Sequence, residues 1–364
     1  MEIRTVTGAQ NPSDLGFTSM HEHVLRGPDW PYTALYRQWL GDIPPERFPC
    51  PTDKPISIQD LGYLRHSHHE LCNDNTLDEP LMTAELADFY AAGGRAVLEC
   101  GAPGIRGDIA ALKRVSESSN VKVIASTGLY VEQSWPDKCR GMAMRDFVSY
   151  MEGEIEYGID GSGILPGQIK AAINGSATKP FLEFWQAVAD VARQSRLCVT
   201  AHIEDCSTAD HRECLKKAAE FGMPFEKLLL CHFQTHFQQL DLETLVRDPE
   251  EFRLKLDYAM EVLDRGASIC IDCFGMIYDD EPLGRIAESD SYKIAGLYHL
   301  VGRGYEDQIV IGTDIFMKLM TRRFGGHGYV RLLNYVVPTL RSLGIAERVI
   351  EKITVINPAR LLAI

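Results

Sequence analysis

Eight short apolar runs recur along the chain, and the stretches between them have helical features. This alternation limits the fold more than any other property of the sequence. The runs cover residues 17–23, 95–100, 121–126, 168–173, 197–202, 227–232, 267–272 and 308–314. Helices are expected over 81–92, 108–118, 142–157, 180–194, 210–221, 250–264 and 292–301, with further helical segments at the C-terminus. Gly93-Gly94 reads as a C-terminal stop for the first of them, and Pro180 suits a first helical turn. Near-continuous apolar strands separated by helices describe parallel strands buried on both faces, and eight of them point to an α/β fold, a (β/α)8 barrel. The alternative is an open doubly wound sheet. No Gly-x-Gly-x-x-Gly or Walker-type loop follows a strand, which weakens that alternative. Residues 30–80 are polar and rich in proline, and include His66, His68 and His69. They read as a long loop or small insertion within one domain spanning 1–364.

Composition narrows the function. A chain of 364 residues with 45% hydrophobic residues buries a substantial core. A net charge of −14 argues against nucleic acid or an anionic membrane as partner, because both demand a cationic surface. A small-molecule substrate remains, and a homodimer is compatible with this reading. No apolar run approaches the length of a membrane span, and no basic start precedes an apolar stretch at the N-terminus. The ten cysteines are scattered without a Cys-x-x-Cys pair and several sit inside strand-like runs. That pattern fits reduced thiols and a cytoplasmic location.

The chemistry-bearing residues fall at the ends of the runs. His21 and His23 flank Glu22, and in an extended strand residues two apart share a face while the one between points away. Two imidazoles on one face form half of a metal site. His202, His232 and Asp314 close the fifth, sixth and eighth runs, and Lys170 lies in the fourth. All strands of a parallel barrel open at one rim, where catalytic groups gather. Taken singly, each of these residues has a structural reading as a core histidine, a turn cap or a buried ion pair. Together they point to a shared purpose. Lysine is an unusual neighbour for a cation, but its carbamate, formed with carbon dioxide, is an anionic two-oxygen ligand able to bridge two metals.

These residues carry a resemblance. Gly16-Phe-Thr-Ser-Met-His-Glu-His23, Ser126-Thr-Gly-Leu-Tyr130, Ile169-Lys170, Thr200-Ala-His202, Cys231-His232, Gly312-Thr-Asp314, Phe324-Gly-Gly-His-Gly-Tyr329 and Asn357-Pro-Ala-Arg-Leu-Leu362 resemble the phosphotriesterase family of the amidohydrolase superfamily. The resemblance spans nearly the whole chain apart from residues 30–80. It implies a metal-dependent (β/α)8 hydrolase in which His21, His23 and Asp314 hold the more buried cation. His202 and His232 hold the more exposed one, and carboxylated Lys170 bridges them. Zinc is the expected metal, with manganese, cobalt or iron open. Such a pair acidifies a shared water, and Asp314 is the expected general base.

The substrate is less constrained. Tyr130 stands where members resembling lactonases place a tyrosine beside the metals. Cys273 stands where members usually carry arginine or histidine, and Thr235 where triester hydrolases have an aspartate. A lactone or carboxylic ester is therefore expected. Phosphotriesterase activity and a non-catalytic metal-bearing binding barrel are the alternatives. Lys318, Arg322 and Arg323 bring three cations to the segment after the eighth run, which suggests an anionic substrate; the resemblance to relatives that carry basic residues before the Gly-Gly implies a phosphorylated sugar lactone.

Overall fold

The structure, a computed structural model, describes residues 1–27, 56–61, 78–173, 175, 177–203, 207–237, 246–247, 250, 253–276 and 289–364. Most of the 30–80 stretch, with His66, His68 and His69, lies outside the described residues. Strand β3 (Thr18–Glu22), β4 (Ala96–Glu99) and β5 (Lys122–Ile124) pair in parallel, and so do β6 (Ser126–Gly128), β7 (Gln168–Ala172), β8 (Cys198–His202), β9 (Leu228–Cys231), β10 (Ser268–Ile271) and β11 (Ile309–Ile311). The single third run of the sequence is thus two short strands broken at Ala125, with β5 facing β4 and β6 facing β7. Backbone bonds from Asp314 N–H to the His21 carbonyl (2.9 Å) and from His23 N–H to the Ile315 carbonyl (3.2 Å) join the last strand to β3 and complete the ring. An antiparallel pair that the sequence pattern did not suggest, β1 (Ile3–Thr5) and β2 (Gly8–Gln10), precedes the ring.

Helices lie between the strands: α1 (Glu79–Ala92), α2 (Ile109–Ser119), α3 (Met144–Tyr157), α4 (Lys179–Ser195), α5 (Thr208–Glu220), α6 (Asp257–Asp264) and α7 (Asp290–Val301). Their starts follow local chemistry. Asp78, Asp108, Thr178, Ser207 and Ser289 each accept a first-turn backbone N–H, so orphan donors are satisfied. Helix α1 ends at Gly93, whose φ of 113° suits only glycine readily. The helix expected over 250–264 is shorter and begins at Asp257. Inside the ring, Met20, Leu98, Ile124, Leu229 and Val310 form a packed interior beneath the C-terminal strand ends. A larger apolar layer joins the strands to α3, α4, α5, α6 and α7. Neighbouring strands approach closely at Gly128, where an added Cβ would sit 2.2 Å from the Lys170 carbonyl.

One cluster outside the rim makes stability pH-dependent. His211 on α5 and His236 after β9 stack with ring centres 5.3 Å apart, and Tyr258 Oη contacts His211 Nδ1 at 2.6 Å. Burial pushes His236 down to about 4 from 6.5. The unfolded chain therefore takes up a proton between these values that the folded chain refuses. Stability is fully present above about pH 6.5 and is lost as pH falls towards 4. His236→Gln is expected to flatten the fall in stability across this window by on the order of 3 kcal/mol, seen as a flatter fall in melting temperature. Thermal melts of both proteins at a series of pH values check it; parallel curves would rule it out.

Candidate metal centre

His21 is the fourth residue of β3, and His23 follows the strand directly. Strand alternation turns both imidazoles to one face, with ring centres 5.6 Å apart. At 0% and 5% exposure they are not a solvated surface pair. Three further site residues share an uncommon backbone. His232 (φ 59°), Cys273 (φ 57°) and Asp314 (φ 50°) follow β9, β10 and β11, and each is left-handed without being glycine. Such a conformation costs on the order of 1 kcal/mol and is characteristic of functional sites. Strands β9 and β11 therefore end before His232 and Asp314, not on them as the apolar runs suggest.

The turns bring the groups together. Asp314 Oδ1 lies 3.7 Å from His21 Nε2 and 3.5 Å from His23 Nε2, and Asp314 Oδ2 lies 3.8 Å from His232 Nδ1. The His21 and His232 rings are 4.5 Å apart, and those of His202 and His232 4.6 Å. Tyr130 Oη is 3.2 and 3.3 Å from the two ring nitrogens of His202, and Lys170 Nζ is 5.7 Å from the Tyr130 ring centre. All six expected ligands are buried.

Sequence reasoning missed Asp272. Its Oδ2 lies 2.8 Å from His21 Nδ1 and accepts the His232 backbone N–H at 3.0 Å; its Oδ1 lies 2.9 Å from His232 Nδ1. Gln234 holds it in turn, donating to Oδ1 at 3.0 Å and accepting the Asp272 N–H at 3.1 Å. The carboxylate thus holds two imidazoles and leaves His21 Nε2 facing Asp314, an arrangement common around metal-binding histidines. Its position at the end of the seventh apolar run, equivalent to His202 and Asp314, is the signal that could have found it. Cys273 Sγ approaches Asp314 Oδ2 at 3.5 Å and Asp272 Oδ1 at 3.3 Å. The Thr235 hydroxyl donates to the His232 carbonyl at 2.8 Å.

Electrostatics divide the four histidines, holding His23 and His202 neutral while His21 and His232 are raised. Burial first, then His21, Lys170 and His232, hold His23 well below the usual imidazole value; burial, then His232 and Lys170, do the same to His202. Neutral imidazoles keep the lone pair that a metal requires. Burial alone would lower His232 as well, but Asp272 outweighs it and raises the group to about 9. His21 Nε2, Lys170 Nζ and Asp314 Oδ1 are buried without a hydrogen-bond partner. A buried imidazole nitrogen and a buried carboxylate oxygen need a partner, and a cation beside them supplies one; the Lys170 amine could join them only as its carbamate. His21, His232 and Asp314 offer ligand atoms within 4.8 Å of one another. The donor set therefore fits divalent metals.

The rim cations separate into two kinds. Arg322 pairs with Asp88 at 2.8 Å, and Arg323 with Glu85 at 2.7 Å and Asp88 at 3.1 Å, both on α1. Both guanidiniums thus have acidic partners on α1, while their side chains stay about half exposed. Lys318 is half-buried and makes no ion pair among the described residues.

A model of the phosphotriesterase family matches residues 1–362. The chain belongs to the phosphotriesterase family. It is 29% identical to the N-acetyltaurine hydrolases of Tetraodon nigroviridis and Homo sapiens over 363 residues, 98% of this chain and 96% of each relative. A solved structure of a resiniferatoxin-binding protein from Rhodobacter sphaeroides matches with a TM-score of 0.82 at 27% identity, covering 99% of this chain and 94% of that one. A lactonase from Listeria monocytogenes, at 20% identity and a TM-score of 0.74 over 100% and 99% of the two chains, shares the fold. This phosphotriesterase-family chain is a hydrolase with a (β/α)8 architecture. None of its described helices is long and apolar enough to cross a membrane.

Proposed function

We propose that the chain hydrolyses a carboxylic acyl bond in a small substrate that also carries an anionic group. The observation that carries this reading is the convergence of His21, His23, Lys170, His202, His232 and Asp314 at one buried end of the barrel, with ligand atoms of His21, Lys170 and Asp314 lacking partners. In this reading His21, His23 and Asp314 hold the more buried of two divalent cations and His202 and His232 the other. A carbamate on Lys170 spans them. Zinc is the expected metal on the donor set, and manganese, cobalt or iron accept the same ligands. When bound, such a pair supplies Lewis acidity towards the substrate carbonyl and towards water. Asp314 takes the proton of the attacking water and passes it to the leaving group. Tyr130 lies buried beside His202 and orients the carbonyl by its hydroxyl. Lys318 holds the anion by charge. The seven cysteines among the described residues, all free and buried, suit a reducing compartment such as the cytoplasm.

Two acyl bonds fit. An amide is favoured, because relatives aligned over the whole length are N-acetyltaurine hydrolases, whose named substrate is a short amide bearing a sulfonate. A lactone or carboxylic ester is the second reading, supported by Tyr130 beside His202. Triester hydrolysis has less support, since the Thr235 hydroxyl is engaged with the His232 carbonyl and offers no carboxylate.

Zinc-reconstituted protein assayed with N-acetyltaurine, a phosphorylated sugar lactone, a neutral lactone and an aryl dialkyl phosphate tests the reading. The anionic acyl substrates are expected to be turned over fastest. Lys318→Ala is expected to raise KM for the preferred anionic substrate about tenfold and to leave the neutral lactone unaffected, because uniform binding is lost. Preference for the triester, or binding without turnover, would refute the proposal.

A further inference from the structure

Glu22 separates the two histidines of β3, and its side chain points away from them into the protein. It is fully buried. Its Oε1 accepts hydrogen bonds from the Ser19 hydroxyl, from Thr313 N–H at 2.9 Å and from the Thr313 hydroxyl at 2.6 Å; Oε2 accepts Ile315 N–H at 3.0 Å. Thr313 and Ile315 flank Asp314. Amides on either side of a residue converge on one anion when that residue turns left-handed, and Asp314 has a φ of 50°. Asp314 N–H itself donates to the His21 carbonyl at 2.9 Å, so the turn is tied to β3 through three successive amides. The strands are too close here for any other packing: a Cβ added to Gly312 would lie 2.8 Å from His21 N.

A left-handed aspartate is strained, and each hydrogen bond to the buried Glu22 carboxyl group stabilises the turn by an amount comparable with that strain. The four bonds to Glu22 therefore offset the strain of the turn. We infer that Glu22 is a positioning residue for Asp314, holding the Thr313–Ile315 turn so that Asp314 Oδ1 faces His21 and His23. The consequence for turnover rests on the proposed role of Asp314; the structural part does not.

The test uses zinc-reconstituted full-length protein. Glu22→Gln keeps the shape but replaces one accepting oxygen with an amide group that cannot accept, so either the Thr313 or the Ile315 amide loses its partner. Thr313→Val removes only one hydroxyl donor and is the milder variant. In Glu22→Gln, hydrogen exchange at residues 313 and 315 is expected to quicken at least tenfold, while β8 and β9 amides are unchanged. Zinc titration is expected to show one of two sites weakened about 10–100-fold. With p-nitrophenyl acetate as acyl probe, kcat is expected to fall about 10–100-fold and KM to stay within about threefold. Thr313→Val should move the same readouts in the same direction by less. Unchanged exchange at 313 and 315 in both variants overturns the inference, as does faster exchange with unaltered zinc affinity and kcat. Asp314→Asn measured alongside separates the two claims. If that variant keeps full turnover, the base assignment fails, and amide exchange and zinc titration alone decide the role of Glu22.

Discussion

Asp314→Asn is expected to lower turnover by about 10²–10⁴-fold while KM stays within a few-fold and the melting temperature is nearly unchanged. The substitution isolates the chemistry of the carboxylate. Asparagine is among the few residues that tolerate the left-handed backbone Asp314 adopts, so the turn after β11 survives the exchange. The amide also retains one oxygen to face His21 and His23, which sit 3.7 and 3.5 Å from Asp314 Oδ1. What disappears is an acceptor basic enough to take a proton from water. Steady-state kinetics at saturating zinc, with metal content measured on the same samples, provide the check. Turnover within a few-fold of the parent would mean that another group is the base.

Lys170→Ala is expected to abolish activity and to lower bound metal from two ions per chain to one or none. Lys170 lies in the middle of β7 with 0% exposure, and its Nζ has no hydrogen-bond partner. A bare ammonium in that position is costly, and Lys170 acts unfavourably on His23 and His202 alike. A carbamate reverses the sign of the charge and supplies two oxygens. Lys170→Glu keeps an anion on the same strand position, although its carboxylate is three atoms shorter than the carbamate, and is expected to retain part of both properties. Elemental analysis gives the stoichiometry, and intact mass under native conditions reports the added carbon dioxide. A fully active Lys170→Ala protein with one tightly held ion would dismiss the binuclear reading.

Much of the architecture was legible because strand burial leaves a local record. Every apolar run contains an observed strand, since a strand covered on both faces must be apolar at nearly every position. Caps were legible for a similar reason: Gly93 closes α1 in a conformation that few other residues adopt. Boundaries were less legible. The helix containing Asp257–Asp264 starts later than its pattern suggested, because Arg253, Leu254 and Lys255 fit a helical period and a non-helical approach equally well. The break at Ala125 depends on β5 and β6 pairing with different neighbours, which periodicity does not encode.

By itself the sequence determined which groups reach the rim: two histidines two residues apart, two more and an aspartate at the ends of apolar runs, and a lysine within one. Residue type and strand period are local, and they suffice for that. Only the tertiary structure decided what those groups touch. Asp272 joins His21 and His232, Glu22 grips the amides around Asp314, and Arg322 and Arg323 turn to Glu85 and Asp88 on α1. Each of the last pairings spans more than two hundred residues of chain, 234 for Arg322 to Asp88, so no window of sequence contains both partners. The left-handed turns at His232, Cys273 and Asp314 were hidden for a related reason. Glycine announces such a backbone in sequence; a histidine, a cysteine or an aspartate holds it only when distant contacts, such as those of Glu22 and Asp272, offset its strain.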